Sequence, residues 1–221
     1  MAATNYAVLI PRVRTFGNDT PTSNLKLKET PDGVRDGSNA LFRLSYPNPV
    51  AATIYMTYGA GIVRQPAGSG TFQILDGPSG YIKCLGAGVP DQSVTQPFFF
   101  DYFYQWFLDA DYTTMLDSAT DELGGVAGTD LPEGLYPAQC QYALDHYWMR
   151  RSSLFANSYQ SSGGGASANP ATPPVNFAKL AAAARKKGDE LRDAFYLGFR
   201  KPRAPASGTV TYGFSKGTPK R

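Results

Sequence analysis

Val50-Ala51-Ala52-Thr53-Ile54-Tyr55-Met56-Thr57-Tyr58 is the stretch from which the fold class is read. Val50, Ala52, Ile54, Met56 and Tyr58 fall on one side of an extended chain, and Ala51, Thr53, Tyr55 and Thr57 on the other, the period of a half-buried strand. Moving outward, Phe42, Leu44 and Tyr46 predict a second strand, Phe72 and Ile74 a third, and Tyr81 to Leu85 a fourth. The last two are joined by Asp76-Gly77-Pro78-Ser79-Gly80, whose Gly and Pro content predicts a hairpin turn. Asp32-Gly33 and Asp36-Gly37 mark further turns. The expectation is an α+β chain, mainly β: an antiparallel β-sandwich or small barrel body with a few helices and an extended C-terminal helical arm.

The character of the chain changes after Pro97, where eight of the ten residues from Phe98 to Phe107 are aromatic: Phe98, Phe99, Phe100, Tyr102, Phe103, Tyr104, Trp106 and Phe107. Pro97 permits a helix start, and a helix this apolar on most of its circumference would be buried between layers; a strand accommodates the same residues. Pro137 opens a second helix candidate, with Cys140, Leu144, Trp148 and Phe155 at helical spacing and Tyr147 beside them. Residues 158–174 have the Gly/Ser/Pro composition of a linker. Asn176 then caps a helix with Phe177, Ala181, Ala184, Leu191 and Phe195 on one face, stopped by Pro202 and Pro205, and Val210, Tyr212 and Phe214 alternate as a last short strand. The chain divides into a β-rich body (1–157), the linker (158–174) and a basic connector arm (175–221).

At 221 residues, with 42% apolar, 13% aromatic and only 18% charged residues, and 23 Gly and 17 Pro, the composition excludes intrinsic disorder and a coiled coil. The net charge of +3 hides a split. Residues 1–150 hold nine Lys/Arg against fifteen Asp/Glu, a net of −6; residues 151–221 hold twelve against three, a net of +9. Arg185, Lys186, Lys187, Arg200, Lys201 and Arg203 carry much of the basic third. Such a run reads as a solvated face, as diffuse phosphate attraction, or as an arm that lies on the acidic surface of a neighbouring subunit; the linker, charge split and terminal strand together favour the arm over nucleic acid.

Sites of chemistry are not apparent. Cys84 and Cys140 have no metal-ligand spacing and read as buried thiols. His146 is the single histidine. Asp109 and Asp111, with Asp117, Asp121 and Glu122 downstream, could form a carboxylate pair but lack the calcium-loop pattern, and read as solvated acids on the rim of an aromatic layer. The Gly59-Ala60-Gly61 and Gly68-Ser69-Gly70 clusters lack the lysine and helix of a phosphate loop. No catalytic residue, metal or cofactor is expected. The N-terminus lacks the apolar core of a signal peptide, and the uncharged run Leu44–Val63 is broken by Pro47, Pro49, Gly59 and Gly61, so neither export nor a membrane span is expected.

The expected function is that of a noncatalytic structural component of a large assembly, with a virion as the best example: a bacteriophage-like capsid, decoration, neck or tail protein residing in the particle or the host cytoplasm. Its partners would be copies of itself and other structural proteins, with nucleic acid ranked behind them. Phe98, Phe99, Phe100, Tyr102, Phe103, Trp106 and Phe107, with Phe177, Leu191 and Phe195 from the arm, would form the core or the main interface. The alternatives are a carbohydrate-active hydrolase or carbohydrate-binding protein using Asp109, Asp111 and nearby aromatics, and a nucleic-acid packaging protein.

Overall fold

The alternation around Met56 builds a strand, but a shorter one than the pattern suggests. In the computed structural model, which describes residues 5–59, 63–86, 89–90, 96–161 and 172–199, Ala51–Thr53 form a single 3-10 turn and the strand covers Tyr55–Tyr58. Here the Thr53 hydroxyl replaces a backbone rung by accepting from Phe103 N at 3.1 Å, while Val50 N donates to Phe103 O at 2.8 Å.

The strands are β1 (Asn24–Glu29), β2 (Leu41–Arg43), β3 (Tyr55–Tyr58), β4 (Val63–Pro66), β5 (Phe72–Asp76), β6 (Tyr81–Cys84) and β7 (Phe98–Tyr104). They form two antiparallel sheets, in the orders β1-β7-β3-β4 and β2-β6-β5. Neither sheet closes, so of the two architectures expected the sandwich is the one formed. Ile54, Met56, Phe98, Phe100 and Tyr102 from the larger sheet bury against Phe42, Phe72, Ile82 and Cys84 from the smaller. Edge-on ring contacts of 4.8 Å (Phe42–Phe98) and 5.4 Å (Phe72–Phe100) fill the gap. The β5–β6 hairpin turns where expected. Gly80 sits at φ +71°, and a Cβ there would lie 2.8 Å from Leu44 O, so only glycine fits.

Against one end of the sandwich packs a helical layer: α1 (Tyr6–Gly17), α2 (Asp109–Glu122), α3 (Tyr136–Ser161) and α4 (Thr172–Phe199). The α3 helix confirms the Pro137 expectation and lies among the other three. The α4 helix starts at Thr172, so Asn176 lies inside it rather than capping it, and helix extends into both ends of the expected linker; residues 162–171 fall outside the described residues. Tyr6, Leu9, Val13, Tyr112, Met115, Leu116, Ala119, Tyr142, Tyr147, Ala181 and Ala184 are among the residues that fill this second core.

The two cores share β7. Its first half lies in the sandwich, and the chain beyond Tyr104 inserts Trp106 and Phe107 among the helices. Asp19, fully buried just past α1, pins that crossing: it accepts from Trp106 N at 2.7 Å, Phe107 N at 3.2 Å and the Tyr112 hydroxyl at 2.7 Å. Arg14 closes the joint, donating to Phe107 O at 3.2 Å and Asp109 Oδ1 at 2.7 Å with its guanidinium 4.4 Å over the Tyr112 ring.

Candidate interaction surface

The aromatic block is a strand, and its pleat sorts the block into separate roles. Phe98, Phe100 and Tyr102 point into the sandwich, where the Tyr102 hydroxyl donates at 2.6 Å to buried Glu29. Phe99 and Phe103, on the alternate positions, lie on the outer face of the four-stranded sheet and are half-buried. Trp106 and Phe107 belong to the helical core. The block therefore supplies two cores and one surface, where the sequence pattern suggested a single layer.

The outer face continues onto β1, the rim of that sheet. Leu25 pairs directly with Phe103 and is 49% exposed, and Leu27 is 61% exposed. At the centre of this face Arg64 lies 4.4 Å over the Tyr55 ring and 3.5 Å from Asp101. Asp101 separates Phe99 from Phe103 on this face, so the apolar strip that reaches the edge strand is Phe103–Leu25–Leu27, with Lys26 and Lys28 alternating along β1. Sequence reading passed over Leu25 and Leu27, although Leu25-Lys26-Leu27-Lys28 alternates with a period of two.

The residues singled out in the arm lie on α4, and the structure seats that helix on its own chain. Phe177 stacks on Trp148 at 5.6 Å and 13°, Ala181 and Ala184 are buried, and the Phe195 ring is the nearest group to Gly134, while Leu191 packs at the edge of the helical core. Arg185 pairs with Glu122 and, at 3.4 Å, with Asp145, and lies 4.8 Å over the Tyr142 ring. It draws α2, α3 and α4 together. Lys187 pairs with Glu190 at 3.1 Å within the helix, and Lys186 is exposed. Arg200, Lys201 and Arg203, and the expected strand at Val210, Tyr212 and Phe214, lie outside the described residues.

Arg151 escaped notice at the level of sequence. Its guanidinium sits 4.6 Å over Trp106, 5.4 Å over Trp148 and 5.0 Å over Phe177, and donates to the Tyr147 hydroxyl at 3.0 Å. Tyr147 in turn donates to Gly17 O at 2.9 Å. Cation–π contact at this one residue ties the end of β7 to α3 and α4. Its spacing from Tyr147 and Trp148, four and three residues, is the visible trace of that role.

Asp109 and Asp111 both open α2. Asp109 holds Arg14, and Asp111 reaches back to accept from Leu108 N at 3.0 Å while lying 3.6 Å from Arg150. His146 Nε2 lies 2.9 Å from Glu122 Oε1. Burial pushes the Cys84 thiol up to about 12 and that of Cys140 up to about 11. A groove of about 530 Å³ lies between α1 and the start of α2, lined by Ile10, Pro11, Arg14, Thr20, Leu108 and Asp109. Among the described residues, no group of three or more His, Cys, Asp or Glu could hold a metal ion, and no helix is long and apolar enough to cross a membrane.

No family model, curated protein or solved structure matches the chain. Function is therefore argued from the surface itself: an aromatic and apolar strip on an open sheet edge, beside a helical layer whose acidic α2 and α3 side chains face a basic α4.

Proposed function

We propose that the chain is a noncatalytic structural component of a large assembly, acting through contacts between subunits, and that the assembly is a virion of bacteriophage type, in which the protein serves as a capsid, decoration, neck or tail component. The observation that carries this reading is the outer face of the β1-β7-β3-β4 sheet, where half-buried Phe103 leads to exposed Leu25 and Leu27 on the edge strand. Only the Leu25 and Leu27 side chains of this edge are apolar, Lys26 and Lys28 alternating with them, and it is this exposed pair beside Phe103 that a neighbouring subunit would cover. The low charge, high Tyr, Phe, Gly and Pro content and separated acidic and basic regions support the same reading.

The test is the mass of the purified full chain by light scattering, at low and moderate salt, with and without nuclease. A large, defined, nuclease-resistant oligomer is expected. A particle that falls apart under nuclease would favour the packaging reading, and a monomer at every concentration would overturn self-assembly.

The carbohydrate reading has one observation behind it, the groove beside Asp109. Both aspartates, however, are engaged in holding the α2 start. Replacing Asp109 and Asp111 with Asn separates the two readings: an assembly protein keeps its particle, and a hydrolase loses turnover.

A further inference from the structure

Among the described residues the outer edge of β1 pairs with no other strand, and the sequence of the chain contains a segment with the alternation suited to it. We infer that the segment Val210–Phe214 of a second copy docks on the free edge of β1 and extends the four-stranded sheet by one strand. This inference rests on the assembly reading above and names the contact that would build it.

Four sheet edges are available, and three are poor receivers. The β4 edge ends in Pro66, which offers no N–H. The β2 edge is already taken, because Asp32 and Arg43 exchange both backbone hydrogen bonds, at 2.8 and 2.9 Å. The β5 edge is interrupted by a register shift between Ile74 and Asp76 and exposes only Leu75. The β1 edge is regular from Asn24 to Lys26 before its own register shift, and it presents both Leu25 and Leu27 beside Phe103. That regular stretch is three residues, no longer than the one on β5, so it is the exposed pair Leu25 and Leu27 that sets β1 apart as a receiver.

Charge and reach select the occupant. If two copies paired β1 with β1 across a two-fold axis, Lys26 and Lys28 would face the same residues of the other copy, which is repulsive. Val210-Thr211-Tyr212-Gly213-Phe214 carries no charge and alternates apolar and small or polar residues with a period of two. Its large side chains would lie beside Leu25 and Leu27, while its backbone adds to the ladder. The α4 helix starts beside Trp148 and Phe155 at the joint with the sandwich and ends beyond Phe195 near Gly134, at the far end of the helical layer. From Phe177 to Phe199 it rises about 33 Å. The eleven residues from Phe199 to Val210 span at most about 40 Å when fully extended, so a tail folding back on its own chain uses most of its reach returning to the joint. A neighbouring molecule needs no such return.

The experiment uses the full chain with one cysteine added at a time. Leu27→Cys and Tyr212→Cys chains are mixed under mild oxidation; Cys84 and Cys140 are buried and remain silent. A disulfide-linked pair of one chain of each kind is expected, because directly opposed cross-strand positions fall within bonding distance. Adding Val210→Pro, which removes a backbone donor from the docking segment, is expected to abolish the link and raise the concentration of half-assembly at least tenfold. If the unmodified chain forms a particle but no linked pair appears and Val210→Pro assembles normally, the docking inference is overturned and the assembly reading stands. Closure within a chain carrying both cysteines, with no link between chains, also overturns it. If the unmodified chain stays monomeric, both fail together.

Discussion

At the scale of single residues, Asp19 is a fully buried carboxylate placed where the two cores meet. Its carboxylate holds two backbone N–H groups and a tyrosine hydroxyl at the point where β7 leaves one core for the other. Asp19→Ala would leave these buried donors without an acceptor, and urea unfolding should show a loss of about 3–5 kcal/mol. Burial raises the Asp19 pKa above its ordinary value of 3.8, against the lowering effect of those hydrogen bonds and of Arg14. The folded state therefore keeps a proton that the unfolded chain has released, so the Asp19 contribution to stability falls as pH rises through the window just above 3.8. Comparing unfolding of the parent and Asp19→Asn across that range should show this slope only in the parent. Both cysteines should resist a thiol reagent at pH 8 in the native protein and react once it is unfolded, since burial holds Cys84 near 12 and Cys140 near 11. Asp19 was not legible in the sequence, because nothing in a pattern of apolar residues marks which acid will be buried.

At the scale of elements, α4 lies close to α3 because its contact face is small. Ala181 and Ala184 are buried there, and Gly188 abuts the Tyr142 ring. Ala184→Leu should push the helices apart and cost about 1–3 kcal/mol in a denaturant titration, while the same change at exposed Ala183 should cost nothing measurable. Gly80→Ala should weaken the β5–β6 hairpin by about 1–3 kcal/mol, since it forces a side chain onto Leu44 O at a positive φ. The strands near Phe72, Tyr81 and Met56, the helix after Pro137 and the helix of the arm were legible, because apolar period and turn residues agree there. Two helices were missed for physical reasons. In α1, Pro11 sits inside the helix, and the stripe Tyr6, Leu9, Val13 and Gly17 was overshadowed by the question of a signal peptide. In α2, the repeat Tyr112, Met115, Leu116 and Ala119 was hidden behind acids that serve as its N-terminal charges. The aromatic block was identified as a packing element, but the division of its faces follows from its being a strand, which composition leaves open.

At the scale of the whole molecule, one strand feeding two cores predicts that sandwich and helical layer unfold together. Calorimetry should give a single transition with matching van 't Hoff and calorimetric enthalpies. Two truncations of the arm have different expected outcomes, one set by the packing of α4 and the other by the docking inference. Removing residues 175–221 would strip α4 from Trp148 and Tyr142 and should damage the fold, whereas removing 200–221 should leave the melting temperature within a few degrees of the parent and lower the particle mass to that of the protomer. Both tryptophans of the chain, Trp106 and Trp148, lie against Arg151 at the joint where β7 enters the helices. The molecule thus carries its own optical gauge: a loosening of β7 where it enters the helices should change the surroundings of both indoles, and their emission should report it without any attached dye.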